Sequence, residues 1–111
     1  MKILVPIDAS PQTEYTLEFL ASRTTLLGSN PTIELLNVQQ PLPARACRLV
    51  GQEALARYYE DESEKVFEPA RVALKGAPVK ERTAVGDPVE CIMQAAQDIG
   101  ADLIVMSSRG Q

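Results

Sequence analysis

Four short apolar runs organise this chain: "KILVPID" at 2–8, "TIELLNV" at 32–38, "VKERTAV" at 79–85 and "DLIVM" at 102–106, with longer stretches of helical spacing between them. A near-continuous apolar run of strand length fits a strand covered on both faces, as happens when helices flank a parallel sheet. Parallel neighbours cannot be joined by a tight hairpin, so each link must be a crossover, and the links here are long enough to be helices. The order β-α-β-α-β-α-β therefore predicts an α/β fold with an open parallel sheet, doubly wound through right-handed crossovers. At 111 residues the chain is expected to form one domain, 1–111. The third run alternates polar and apolar residues, which suits an edge strand; the fourth is expected to be buried on both faces.

Local signals mark the helices. Ser10 followed by Pro11 predicts an N-cap and first helical position, and Leu17, Leu20, Ala21 and Leu27 keep one face apolar up to a stop at Gly28. "QQPLPARA" at 39–46 has two prolines and no period, which predicts a mobile surface loop. A helical pattern from about Leu49 to Lys75 places Glu53 and Arg57, and Asp61 and Lys65, four apart on solvent faces. Pro69 within it predicts a kink or two consecutive helices, and Gly76 ends it. "GDPVE" supplies the clearest start, with Asp87 as cap, Pro88 at the first helical position and Glu90 completing a capping box. Val89, Ile92, Ala96 and Ile99 then share a face, and Gly100 closes the helix.

Composition removes whole classes of chemistry. The chain contains no His and no Trp, so Ser-His and Cys-His catalysis and the common zinc sets are excluded. Eleven basic residues against fifteen acidic give a net charge of −4, and no basic cluster is interleaved with aromatics, so nucleic acid is not expected as a partner. No apolar stretch approaches the roughly eighteen residues of a membrane span, and the Met-Lys start leads directly into a strand rather than a signal peptide. A cytoplasmic location without membrane partners is the expectation, with Cys47 and Cys91 as plain thiols.

The stretches "KILVPIDAS", "IELLNVQQP" and "AVGDPVECIMQAAQDIGADLIVMSSRG" resemble the universal stress protein family in sequence, order and spacing across essentially the whole chain. The resemblance implies a Rossmann-like fold of the adenine nucleotide alpha hydrolase type, a five-stranded parallel sheet in the order 3-2-1-4-5, of which four strands are recognisable here. It also implies adenine-nucleotide binding, with ATP as the candidate ligand. The Asp matching Asp8 and the main chain at Val38 would hold the adenosine, and the loop after the fourth strand the phosphates. That loop's family pattern is Gly, two residues, Gly, nine residues, Gly and then Ser or Thr. This chain has Ser107 at the first Gly, keeps Gly110 at the second, and reaches its last residue, Gln111, before the third.

Ligands of open α/β sheets bind beyond the carboxyl ends of the strands where the strand order reverses, which the family's order puts between the first and fourth strands. Pro6 and Asp8 would there face Met106, Ser107, Arg109 and Gly110. Ser107 opposes phosphate binding, since its Cβ penalises a positive φ and intrudes on the approach, while Arg109 offers a mobile, screened charge. Asp8 serves equally well as a cap of the turn into the first helix, while Val38 reads first as core and Ser107, Ser108 and Gly110 first as a frayed end. The expected function is a dimeric stress-response module, not an enzyme, with nucleotide binding weakened or lost. An apolar fourth strand at the sheet edge is expected to pair subunits as a homodimer. The alternative is an ATP binder whose phosphate loop is completed by residues beyond this chain. Hydrolase chemistry of the related class lacks its Ser-Gly-Gly-x-Asp-Ser run, since "DASPQT" follows the first strand instead.

Overall fold

A computed structural model of the chain describes residues 1–22, 31–74 and 77–106. Its elements are β1 (Lys2–Ile7), α1 (Pro11–Ser22), β2 (Thr32–Gln39), α2 (Ala44–Val50), α3 (Gln52–Ala73), β3 (Val79–Val85), α4 (Pro88–Ile99) and β4 (Leu103–Ile104). The four strands form one parallel sheet in the order β3-β2-β1-β4. This is the expected α/β fold, with β3 at one edge.

The alternation of side chains across the sheet sorts the core into two layers. Ile3, Val5 and Ile7 of β1 and Ile33 and Leu35 of β2 pack with Leu17 and Leu20 of α1 and with Phe67 and Ala70 of α3. On the other face Leu4 and Leu36 pack with Ala95 of α4, flanked by Ile92, Ala96 and Ile99. Val89, expected on that inner face, is exposed, as is Ala21 in α1. Leu27 and the expected helix stops Gly28 and Gly76 lie outside the described residues.

Two expectations about helices are corrected. Residues 44–46, expected within the loop at 39–46, instead open α2: Pro41 and Pro43 both lie ahead of the helix, with Pro43 at its cap position, so neither removes a hydrogen bond from its interior. The break in the long helical region falls at Gly51, whose φ of 78° takes the backbone out of the helical range, and α3 runs on through Pro69. Buried Phe67, Ala70 and Leu74 hold the turns on either side of that proline against the sheet, which offsets the hydrogen bond it removes.

β4 is also shorter and wetter than the apolar run suggests. Only Leu103 and Ile104 pair with β1, and they are 39% and 40% exposed. Among the described residues β4 has one strand neighbour and forms an edge of the sheet, which leaves its outer side open.

Polar ties fix the helices on the sheet. Ser63 of α3, 3% exposed, donates to Asn37 Oδ1 (3.1 Å) and accepts from Gln39 Nε2 (2.7 Å) and Thr83 Oγ1 (2.9 Å). On the opposite face Arg82 Nε meets the buried Glu34 carboxylate at 2.5 Å and its guanidinium reaches Asp98 of α4 at 3.1 Å. Glu34 and Asp98 raise the Arg82 pKa, the hydrogen bond to Glu34 contributing most.

Ser63→Ala leaves the side-chain amides of Asn37 and Gln39 short of a buried partner and is expected to lower unfolding free energy by about 1–3 kcal/mol, read by urea denaturation. Arg82→Leu strands the Glu34 carboxylate and is expected to cost about 2 kcal/mol, less than a fully buried pair because Arg82 is partly exposed. The Glu34→Leu/Arg82→Leu double variant should recover most of that loss in the same assay.

Candidate functional site

β1 carries the chain to the point where strand order reverses, with β2 on one side and β4 on the other. Its pairing with β2 continues through Ile7 opposite Asn37, whereas its pairing with β4 ends at Leu4 opposite Ile104. Beyond that last pair a crevice of about 650 Å³ opens, within the range of about 300–1,000 Å³ usual for small-molecule sites. Leu36, Val38, Pro6, Ile92 and Met106 make its apolar wall, with Pro88 from the start of α4. Asp8, Ser10, Gln12, Thr13 and Gln40 supply the polar part.

Asp8 organises that polar part. Its Oδ1 accepts from the Ser10 amide (2.9 Å), the Ser10 hydroxyl (2.5 Å) and the Thr13 hydroxyl (2.9 Å). The Thr13 oxygen in turn accepts from the Asp8 amide at 2.9 Å. This closed set turns the chain from β1 into α1, so the capping reading of Asp8 is realised while its side chain also lines the crevice. Ser10 precedes α1 as expected, but its hydroxyl is directed to Asp8. At the start of α4, Asp87 Oδ2 accepts from the Glu90 amide at 3.0 Å, and Gly100 closes that helix with a left-handed φ of 64°.

Val38 sits one residue past the last β1–β2 pair but still opposite Ala84 of β3. The Thr32 amide donates to the Met1 carbonyl just ahead of β1, and the Gln39 carbonyl accepts from Gly86 beyond β3. Alternation along β2 therefore puts the Val38 backbone groups on the crevice side. Four of the residues singled out from sequence, Pro6, Asp8, Val38 and Met106, are thus brought together. Ser107, Arg109 and Gly110 lie outside the described residues.

Sequence reading missed Leu36, Gln12, Thr13, Gln40, Pro88 and Ile92. Thr13 was findable, because a Thr following "DASP" inside the first turn is placed to close on the carboxylate. Pro88 and Ile92 were visible only as a helix start and a core face. No Lys or Arg lines the crevice among the described residues, and these residues hold no cluster of three metal-ligating side chains. The surface offered is apolar with one carboxylate and several neutral hydrogen-bonding groups, chemistry that suits a planar, uncharged ring bearing donors better than a bare phosphate.

The sequence model of the universal stress protein family matches residues 1–111. The chain belongs to the universal stress protein family. Its structure is similar to that of the hypothetical protein MJ0577, at 30% identity and a TM-score of 0.77, covering 99% of this chain and 76% of that one. Two universal stress proteins share the fold at lower identity. One was solved in complex with cAMP, at 19% identity and a TM-score of 0.62, covering 96% and 75% of the two chains. The other, from Archaeoglobus fulgidus, was solved in complex with dAMP, at 21% identity and a TM-score of 0.61, covering 94% and 78%. Among curated protein sequences none matches the chain. No described helix of this universal stress protein is long and apolar enough to cross a membrane.

Thr13→Val removes one donor to Asp8 and the acceptor of the Asp8 amide together. It is expected to cost about 1–2 kcal/mol of stability, measured by thermal unfolding, and to loosen the turn at the crevice mouth.

Proposed function

We propose that this chain is an adenine-nucleotide-binding universal stress protein that works in the cytoplasm as a homodimeric stress-response module, by binding rather than by turnover. In this reading the crevice grips the nucleoside more firmly than the phosphates. The observation behind it is the convergence of Pro6, Asp8, Val38 and Met106 on one crevice at the reversal of strand order. Apolar Leu36, Val38, Ile92 and Met106 offer faces for an adenine ring, and Asp8 and the Val38 backbone offer partners for its amine and the ribose hydroxyls.

Two family members of the same fold were solved with cAMP and with dAMP, both adenine mononucleotides, which agrees with a ligand of this class. Phosphate recognition falls to residues 107–110, where Ser107 stands in place of the family's first loop glycine. A Cβ at a position suited to positive φ weakens the grip on a phosphate, so ATP gains little over adenosine. The proposed dimer uses the exposed apolar Leu103 and Ile104 of β4, the outer strand of the described sheet. A second reading, an ATP binder with its phosphate loop completed by residues following Gln111, is supported by the extra length of MJ0577, of which the match covers 76%.

Titration calorimetry decides between these readings. Adenosine and AMP are expected to bind, Asp8→Ala to weaken both by about tenfold or more, and ATP to bind less than about tenfold tighter than adenosine. Ser107→Gly should raise ATP affinity and leave adenosine affinity unchanged. ATP binding far tighter than adenosine by the unmodified chain defeats the first reading, as does release of phosphate or pyrophosphate that Asp8→Ala abolishes. Sedimentation is expected to show a dimer that Ile104→Lys converts to monomer.

A further inference from the structure

The crevice opens where the β1–β4 ladder ends at Leu4, and the next residue of β1 on the β4 side is a proline. In a parallel ladder, alternate residues of a strand give both backbone groups to the same neighbour. The Lys2 carbonyl accepts from the Asp102 amide (2.8 Å) and the Leu4 carbonyl from the Val105 amide (3.0 Å), so the even-numbered residues of β1 face β4. The next of them is Pro6. The Val105 amide is spent on Leu4; strand alternation continued past Ile104 would turn the Val105 carbonyl toward position 6, where a standard residue would donate its N–H and proline has none. On the other side the odd-numbered residues face β2, and that ladder continues undisturbed to Ile7 opposite Asn37. The missing donor falls on the side where the sheet opens, at the spot where Pro6 and Met106 line the crevice.

We propose that Pro6 is the positioning residue of this crevice: by withholding the backbone donor that would extend the β1–β4 ladder past Leu4, it leaves the Val105 carbonyl as an acceptor for a donor group of the bound nucleoside. An acceptor inside a partly buried peptide needs a partner, and a ligand amine or hydroxyl supplies one that the sheet does not. The inference rests on the nucleoside reading above for the identity of the donor, but not for the behaviour of the ladder.

The test uses Pro6→Val and Pro6→Ala, which keep an apolar wall and restore the N–H. Amide hydrogen exchange at position 6 is expected to be slow, thermal unfolding to shift upward, and adenosine affinity to fall about tenfold, the loss of about one hydrogen-bonded contact. A residue needed merely for folding would instead lower stability when replaced. Exchange of the new amide at the unprotected rate overturns the ladder claim. Unchanged adenosine affinity in a variant whose amide is protected overturns the role of Val105. An unmodified chain that binds no nucleoside removes the Val105 role together with the function proposed above, and the exchange measurement then decides the ladder by itself.

Discussion

The structure depends on satisfying one strand from four directions. β1 carries Ile3, Leu4 and Val5 with no exposed surface, so its backbone polar groups have no access to water and must be met by neighbours in the sheet. β2 and β4 supply those neighbours, and helices on both faces supply the apolar cover: α1 and α3 on one, α4 on the other. A parallel arrangement is the solution that allows all four, because each crossover brings a helix back over the sheet. The same arrangement leaves the carboxyl end of β1 between strands reached by crossovers in opposite directions, and no connecting segment fills that gap.

What lines the gap is decided by where β1 stops being a strand. Asp8 ends it by gathering the amide and hydroxyl of Ser10 and the hydroxyl of Thr13, and this same turn launches α1. A carboxylate that is needed to shape the turn is thereby held still at the rim of the crevice, so preorganisation and fold maintenance share one group. Across the sheet, the Ser63 cluster and the Glu34–Arg82–Asp98 chain tie α3 and α4 to β2 and β3. These ties keep the register of β2, and with it the height at which Val38 passes beyond its last β1 partner.

Much of this was readable in the chain. The β1, β2 and β3 runs and the Asp87-Pro88 start of α4 appear as elements within a residue of their expected ends, because each is specified by neighbours in sequence: apolar runs, prolines, caps. The site residues Pro6, Asp8, Val38 and Met106 were legible through the family resemblance and the strand-end rule. α2 was not, since prolines at 41 and 43 read as loop when they in fact precede a helix start. The run through Pro69 was equally hidden, because burial of Phe67, Ala70 and Leu74 is a property of the assembled core.

Sequence by itself determined the class of fold, the direction of the strands and the residues that end them, since strand burial, crossover length and capping are local consequences of residue type. Only the tertiary structure decided which of those ends meet. The one-sided stop of the β1–β4 ladder at Leu4 and the arrival of Pro88 and Ile92 beside Val38 depend on register and on the packing of α4. Register is set by how distant faces interdigitate, and no short stretch of the chain contains that information.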